Sequence, residues 1–120
     1  MPTVTIPGAG SQAVAEGTRL VLAVKECGVD IGHRCGGYAR CTTCRVRVID
    51  GEPTAMTRAE HDKLDERGLL GEVRLACQIV VESDVTVEPL MVVSAMGWTD
   101  PGPPPEETVT PEPEWMDRPA

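Results

Sequence analysis

The chain has 120 residues and a mass of 12.8 kDa, the size of one small domain with or without a tail. Nineteen acidic against eleven basic side chains leave a net charge of −8, which argues against nucleic acid or an anionic membrane as the main partner, because both need clustered cations. Phe is absent, no apolar run approaches the roughly 20 residues of a membrane span, and no charged segment followed by an apolar stretch opens the chain, so an aliphatic core and a cytoplasmic location are expected.

Thr3-Val4-Thr5-Ile6 alternates polar and apolar residues, as a half-buried strand does. Gly8 and Gly10 suit a hairpin turn into a weaker strand over 11–15. Thr18 is expected to cap a helix over 19–27, whose Leu20, Ala23, Val24 and Cys27 share one face, and Gly28 to end it. A loop rich in Gly and Cys fills 31–44, and Arg45-Val46-Arg47-Val48 alternates as a strand. Thr57-Arg58-Ala59-Glu60 reads as a capping box opening a helix to about Arg67, ended by Gly68. Strands are expected over 73–79 and 85–87. The order gives an α+β fold with a small mixed sheet, one main helix and a short second helix. From Pro101 to Ala120 there are seven prolines, five acids and one base. Such a segment has too little apolar surface to offset the entropy of ordering, so 1–100 is read as the domain and 101–120 as an extended or disordered acidic tail.

Five cysteines in a chain without a secretory signal point to metal rather than to disulfides. Cys35, Cys41 and Cys44 form C-x5-C-x2-C, and Cys77 follows at a distance. The close pair reaches metal from one turn, the longer loop brings a third thiolate round the other side, and Cys77 ties the loop to a distant strand. A structural zinc site is the rival, but zinc usually takes two close pairs, and only one is present. Gly36 and Gly37 let the backbone curl with N–H groups inward, and Thr42 and Thr43 add hydroxyls. Inward donors suit thiolates and bridging sulfides, whose negative charge grows by one on reduction.

The segment Cys35-Gly-Gly-Tyr-Ala-Arg-Cys41-Thr-Thr-Cys44, with Arg74-Leu-Ala-Cys77-Gln-Ile downstream, resembles the 2Fe–2S ferredoxins. The five-residue first gap is similar to that of the vertebrate and bacterial branch, the adrenodoxin and putidaredoxin kind. The resemblance spans roughly residues 3 to 90 and implies a β-grasp fold. It also implies a 2Fe–2S cluster on Cys35, Cys41, Cys44 and Cys77, and one-electron transport without catalysis. As partners it implies a flavin-containing ferredoxin reductase as donor, and a cytochrome P450, an oxygenase or iron–sulfur assembly machinery as acceptor. The gap from Cys44 to Cys77 is a few residues shorter than in adrenodoxin. Asp62-Lys-Leu-Asp65 resembles the acidic docking helix of adrenodoxin-like members, so Asp62 and Asp65 are candidate docking residues, against a plain solvated helix that also carries Glu60.

With all four cysteine positions filled, His33 and His61 are not expected as ligands, and His33 is expected to make a hydrogen bond near the cluster or at the surface. Cys27 is expected to be a small core hydrophobe. Arg34 and Arg40 either tune the charge near the cluster or are solvated. The apolar run from Leu90 to Trp98 either covers the sheet or makes a contact patch. Trp115 is a candidate anchor for a partner in an otherwise polar tail. That tail also motivates an alternative, in which the chain is a resident component of a larger redox complex.

Overall fold

Val4 and Ile6 are buried while Thr3 and Thr5 are half-buried, the period of two that sets Thr3–Ile6 (β1) into a sheet with one face on the core. The computed structural model describes residues 1–29, 31–33, 43–93, 106–110 and 112–118. Gly10–Ala13 (β2) pairs antiparallel with β1, Thr3 opposite Ala13, and is exposed along its whole length. Between them the Ala9 N–H donates to the Ile6 carbonyl at 2.9 Å, and Gly8 takes φ +84°, where a Cβ would be strained.

Thr18–Arg19 (β3) leads directly into Leu20–Glu26 (α1), which buries Leu20, Val21, Ala23 and Val24. Thr18 does not cap this helix as expected. Its hydroxyl donates to the Ala15 carbonyl at 2.6 Å, closing the preceding turn, and Arg19 stands at the N-cap position without a side-chain cap. Gly28, at φ +86°, follows the helix where the left-handed conformation is needed.

Arg45–Asp50 (β4) runs two residues beyond the expected strand and pairs antiparallel with Val85–Pro89 (β8). β8 lies parallel to β1, and β4 pairs on its other side with Arg74–Leu75 (β6). The five-stranded order is β2-β1-β8-β4-β6. A mixed sheet with α1 packed against β1 is the β-grasp arrangement that the resemblance implies.

Ala55–Thr57 (β5) enters Arg58–Glu66 (α2), and Thr57 is the cap as expected, its Oγ1 accepting from the Glu60 N–H at 3.1 Å. The expected strand over 73–79 is interrupted. After β6 the chain makes a 3-10 turn over Ala76–Gln78 and resumes as Val80–Val81 (β7), which pairs antiparallel with β3. The turn is held where the Ala76 N–H donates to the Cys44 carbonyl at 3.0 Å, so the chain leaves the sheet at the point where Cys77 meets Cys44.

The described part of 101–120 differs from an extended or disordered tail. Trp115–Asp117 (β9) pairs antiparallel with β5, Met56 opposite Met116 and Thr57 opposite Trp115. Val109 is buried, and the carbonyls of Glu106, Thr108 and Thr110 accept hydrogen bonds from buried side chains of the body. Composition favours a solvated segment. Backbone pairing with an open strand edge and donors waiting in the body outweigh it.

Candidate metal centre

Two of the four expected ligands lie on described residues, and the fold brings them together. Cys44 ends the turn before β4, and Cys77 is the middle residue of the 3-10 turn after β6. Both are buried, Cys77 completely. The Cys77 N–H donates to the Cys44 sulfur at 3.5 Å, and the Gln78 side-chain amide donates to the Cys77 sulfur at 3.6 Å. Cys35 and Cys41, with Gly36, Gly37, Arg34, Arg40 and Thr42, lie outside the described residues; Thr43 is buried beside Cys44.

Buried thiols under directed N–H donors fit a cluster held by thiolates. Soft sulfur ligands suit iron–sulfur chemistry, and each donor offsets negative charge that burial would otherwise penalise. The donors come from backbone and an amide, so they need no change of protonation to act.

Around Cys77 lies a frame that sequence patterns do not announce. Arg19, fully buried, donates to the Cys77 carbonyl from Nε at 3.0 Å and from Nη2 at 2.6 Å. Gln78 accepts from the Thr57 hydroxyl at 2.7 Å. Glu60 is not the solvated helix residue expected. Its carboxylate is fully buried and takes Arg74 Nε at 2.8 Å, Arg74 Nη2 at 3.1 Å and the Leu75 N–H at 2.8 Å. Arg74 also donates to the carbonyls of Pro53 and Ala55, both at 2.9 Å. Burial pulls the Arg74 guanidinium down, but the hydrogen bonds and charges of Glu60 and then Glu52 outweigh it, and it stays above its ordinary value. The only sequence signal for this frame is the Thr57–Glu60 capping pattern. In a reciprocal capping box Glu60 would turn back to the Thr57 N–H; here it braces β6 instead.

His33 is buried, and its Nε2 lies 2.9 Å from Lys25 Nζ, a contact with α1. His61 is at the surface beside Asp62, 3.1 Å from its Oδ1. Cys27 is half-buried against the core, and burial, then the charge of Glu26, pushes its thiol up, which suits an unreactive cysteine. Asp62 and Asp65 are exposed on α2, on either side of the buried Leu64. Trp115, 46% exposed, lines a cavity of about 500 Å³ with Ile79, Val81 and Val85. Leu90 to Val93 are half-buried, and Ile31 bridges Val92; the rest of the run to Trp98 lies outside the described residues.

The family of 2Fe-2S iron–sulfur cluster binding domains matches residues 4–82. A 2Fe-2S ferredoxin of Haemophilus influenzae is 40% identical over 78 residues, covering 62% of this chain and 69% of its own. A component of the Na(+)-translocating NADH-quinone reductase of Idiomarina loihiensis is 33% identical over 72 residues, 60% of this chain but 17% of that protein, so the likeness takes in only a small part of it. Among solved structures, the ISC-like 2Fe-2S ferredoxin of Pseudomonas putida superposes with a TM-score of 0.61 at 31% identity, covering 73% of this chain and 91% of that one. Reduced putidaredoxin from the same species gives 0.53 at 27%, covering 72% and 94%. No described helix is long and apolar enough to cross a membrane. With the family model matched over residues 4–82 and a ferredoxin 40% identical covered to 69% of its length, the chain belongs to the 2Fe–2S ferredoxins, electron carriers whose cofactor is a 2Fe–2S cluster.

Proposed function

We propose that the chain is a diffusing carrier in the cytoplasm with no catalytic activity of its own. It takes one electron at a time from a flavin-containing ferredoxin reductase and passes it to an oxygenase, a cytochrome P450 or an iron–sulfur assembly partner. Cys35, Cys41, Cys44 and Cys77 are the proposed ligands. The observation that supports this reading best is the burial of Cys44 and Cys77 under N–H donors from Cys77 and Gln78. When bound, a 2Fe–2S cluster supplies uptake and release of a single electron. The residues around it hold fixed donors against a charge that changes by one, so little has to reorganise.

Asp62 and Asp65, three apart on one helix face, are proposed as the acidic surface that steers a basic partner, with Trp115 as an apolar contact. The alternative that the tail motivates is a resident component of a larger redox complex; the tail's described residues pair with the chain's own β5 and accept from Arg19 and Gln78.

Four single Cys→Ser replacements test the ligand set. Cys35→Ser, Cys41→Ser, Cys44→Ser and Cys77→Ser should each abolish or severely disturb the visible absorption, and Cys27→Ser should keep it. The intact protein should titrate as one one-electron couple, below the roughly −150 mV floor of Rieske centres, with the paramagnetic signal of a mixed-valence pair. A two-electron wave, or a parent spectrum from Cys77→Ser, overturns the assignment.

A further inference from the structure

Two buried side chains each touch both Cys77 and the C-terminal segment. Arg19 holds the Cys77 carbonyl through Nε and Nη2, and its Nη1 donates to the carbonyls of Glu106 at 2.8 Å and Thr108 at 3.1 Å. Gln78 donates from Nε2 to the Thr110 carbonyl at 2.7 Å and to the Cys77 sulfur at 3.6 Å.

The orientation of the Gln78 amide follows from its neighbours. The Thr110 carbonyl can only accept, so it must face the NH2 group. Thr57 Oγ1 already accepts the Glu60 N–H and has one proton to give, which goes to the Gln78 oxygen. One amide hydrogen is therefore spent on Thr110, and the other is aimed at the sulfur. Arg19 works in the same manner on the backbone. Its guanidinium keeps its charge at any ordinary pH and needs acceptors when buried, and 106–110 supplies two of them.

We propose that residues 106–110 form a strap that positions Cys77, with Gln78 and Arg19 as the positioning residues, and that the strap thereby helps set the reduction potential of the centre. This rests on the reading of Cys77 as a cluster ligand. Reduction adds one negative charge to the ligand set, and an N–H donor or a cation beside it favours the reduced form. Losing the Gln78 donor therefore shifts the midpoint potential to more negative values. Removing the strap also admits water, which acts in the opposite sense, so a substitution that leaves the strap in place gives the cleaner sign.

The test uses the full-length, cluster-loaded protein, Gln78→Met, Arg19→Lys, a deletion of 106–120, and the deletion combined with Gln78→Met. Potentiometry, paramagnetic resonance of the reduced form and the rate of cluster loss to a chelator are measured on each. Gln78→Met, close to Gln in volume but with no donor, should move the potential negative and change the resonance of the reduced cluster. Arg19→Lys, which cannot reach Cys77 and both strap carbonyls together, should lose its cluster about fivefold faster, the equivalent of about one hydrogen bond. The deletion should move the potential of the parent, and its effect should shrink in the Gln78→Met background. If Gln78→Met leaves potential and resonance at the parent values, or if the deletion and Gln78→Met simply add, the strap is overturned. Should the deletion variant take up no cluster, the two full-length variants decide, and parent behaviour in both refutes the proposal. Cys77→Ser is the separate control: a parent spectrum and potential there would refute Cys77 as ligand, whatever Gln78 does.

Discussion

Replacing Glu60 by Gln tests whether the pair beneath the metal centre is a buried ion pair on which the fold depends. The carboxylate is fully buried, Arg74 is nearly so, and three short hydrogen bonds join Glu60 to Arg74 and to the Leu75 backbone. Gln keeps the shape but removes the negative charge and leaves its amide pointing at donors it cannot satisfy. The guanidinium then stays charged without its main partner, because an arginine keeps its proton at any ordinary pH, and of the two carboxylates that hold it above its ordinary value in the parent only Glu52 remains. A group raised in this way contributes stability that is present at neutral pH and lost only as pH rises through its folded pKa. Breaking a buried pair on one side costs about 3–5 kcal/mol. At about 4 °C per kcal/mol for a domain near this size, the melting midpoint should fall by about 12–20 °C. Thermal scans of the cluster-loaded protein by circular dichroism, at one fixed rate, measure the loss. The double variant Glu60→Leu with Arg74→Met, which removes both charges, should recover part of it. A fall of less than about 1 kcal/mol for Glu60→Gln, the range of an exposed pair, would refute the burial of this pair.

Three further outcomes follow from surface and tail. Asp62→Asn with Asp65→Asn should slow electron transfer from the cognate reductase at low salt, with little change near 0.15 M, where screening acts within about 8 Å, and with little change in potential; stopped-flow at two ionic strengths measures it. Cys27, whose thiol is raised by burial, should be alkylated slowly at neutral pH and faster only above the ordinary thiol range, as mass spectrometry of labelled protein would report. Deleting 106–120 should lower stability by about 2–6 kcal/mol, because Arg19 and Gln78 lose strap acceptors at about 1–3 kcal/mol for each group left unsatisfied; denaturant unfolding would show it, and an unchanged midpoint would mean water replaces the carbonyls at no cost.

The cysteine motif carries the likeness to the ferredoxins by itself, and the β1 alternation and the Thr57 cap were legible because each depends on neighbours close in sequence. Thr57 accepts from a residue three positions on, and β1 shows its period within four residues. What stayed hidden depends on distance. Arg19 reads as the first residue of a helix, and nothing local says that its guanidinium meets a carbonyl 58 positions away. Glu60 reads as one more acid on a charged helix, yet β6 passes close enough to bury it against Arg74. The stretch from 73 to 79 looks like one strand, because periodicity does not report that the chain must turn off the sheet to bring Cys77 to Cys44. The tail misled for the same reason. Its composition describes its own solubility, whereas its described residues are held by an open edge on β5 and by donors in the body.

The pairing of β5 with β9 also imposes an order of events during synthesis. Trp115 is built 58 residues after its partner Thr57, which at about 5–20 residues per second is a delay of about 3–12 s. All five cysteines have left the ribosome before Glu106 does, so the nascent chain holds every thiol while the β5 edge is still open and the Arg19 and Gln78 donors that face 106–110 have not yet met those carbonyls. An open strand edge is a template for another chain, and here the protein's own C-terminal segment is what finally occupies it. A ribosome stalled before residue 106 would therefore release a polypeptide with complete sulfur chemistry and an unguarded edge, which makes early termination a route to aggregation rather than to a merely shorter carrier.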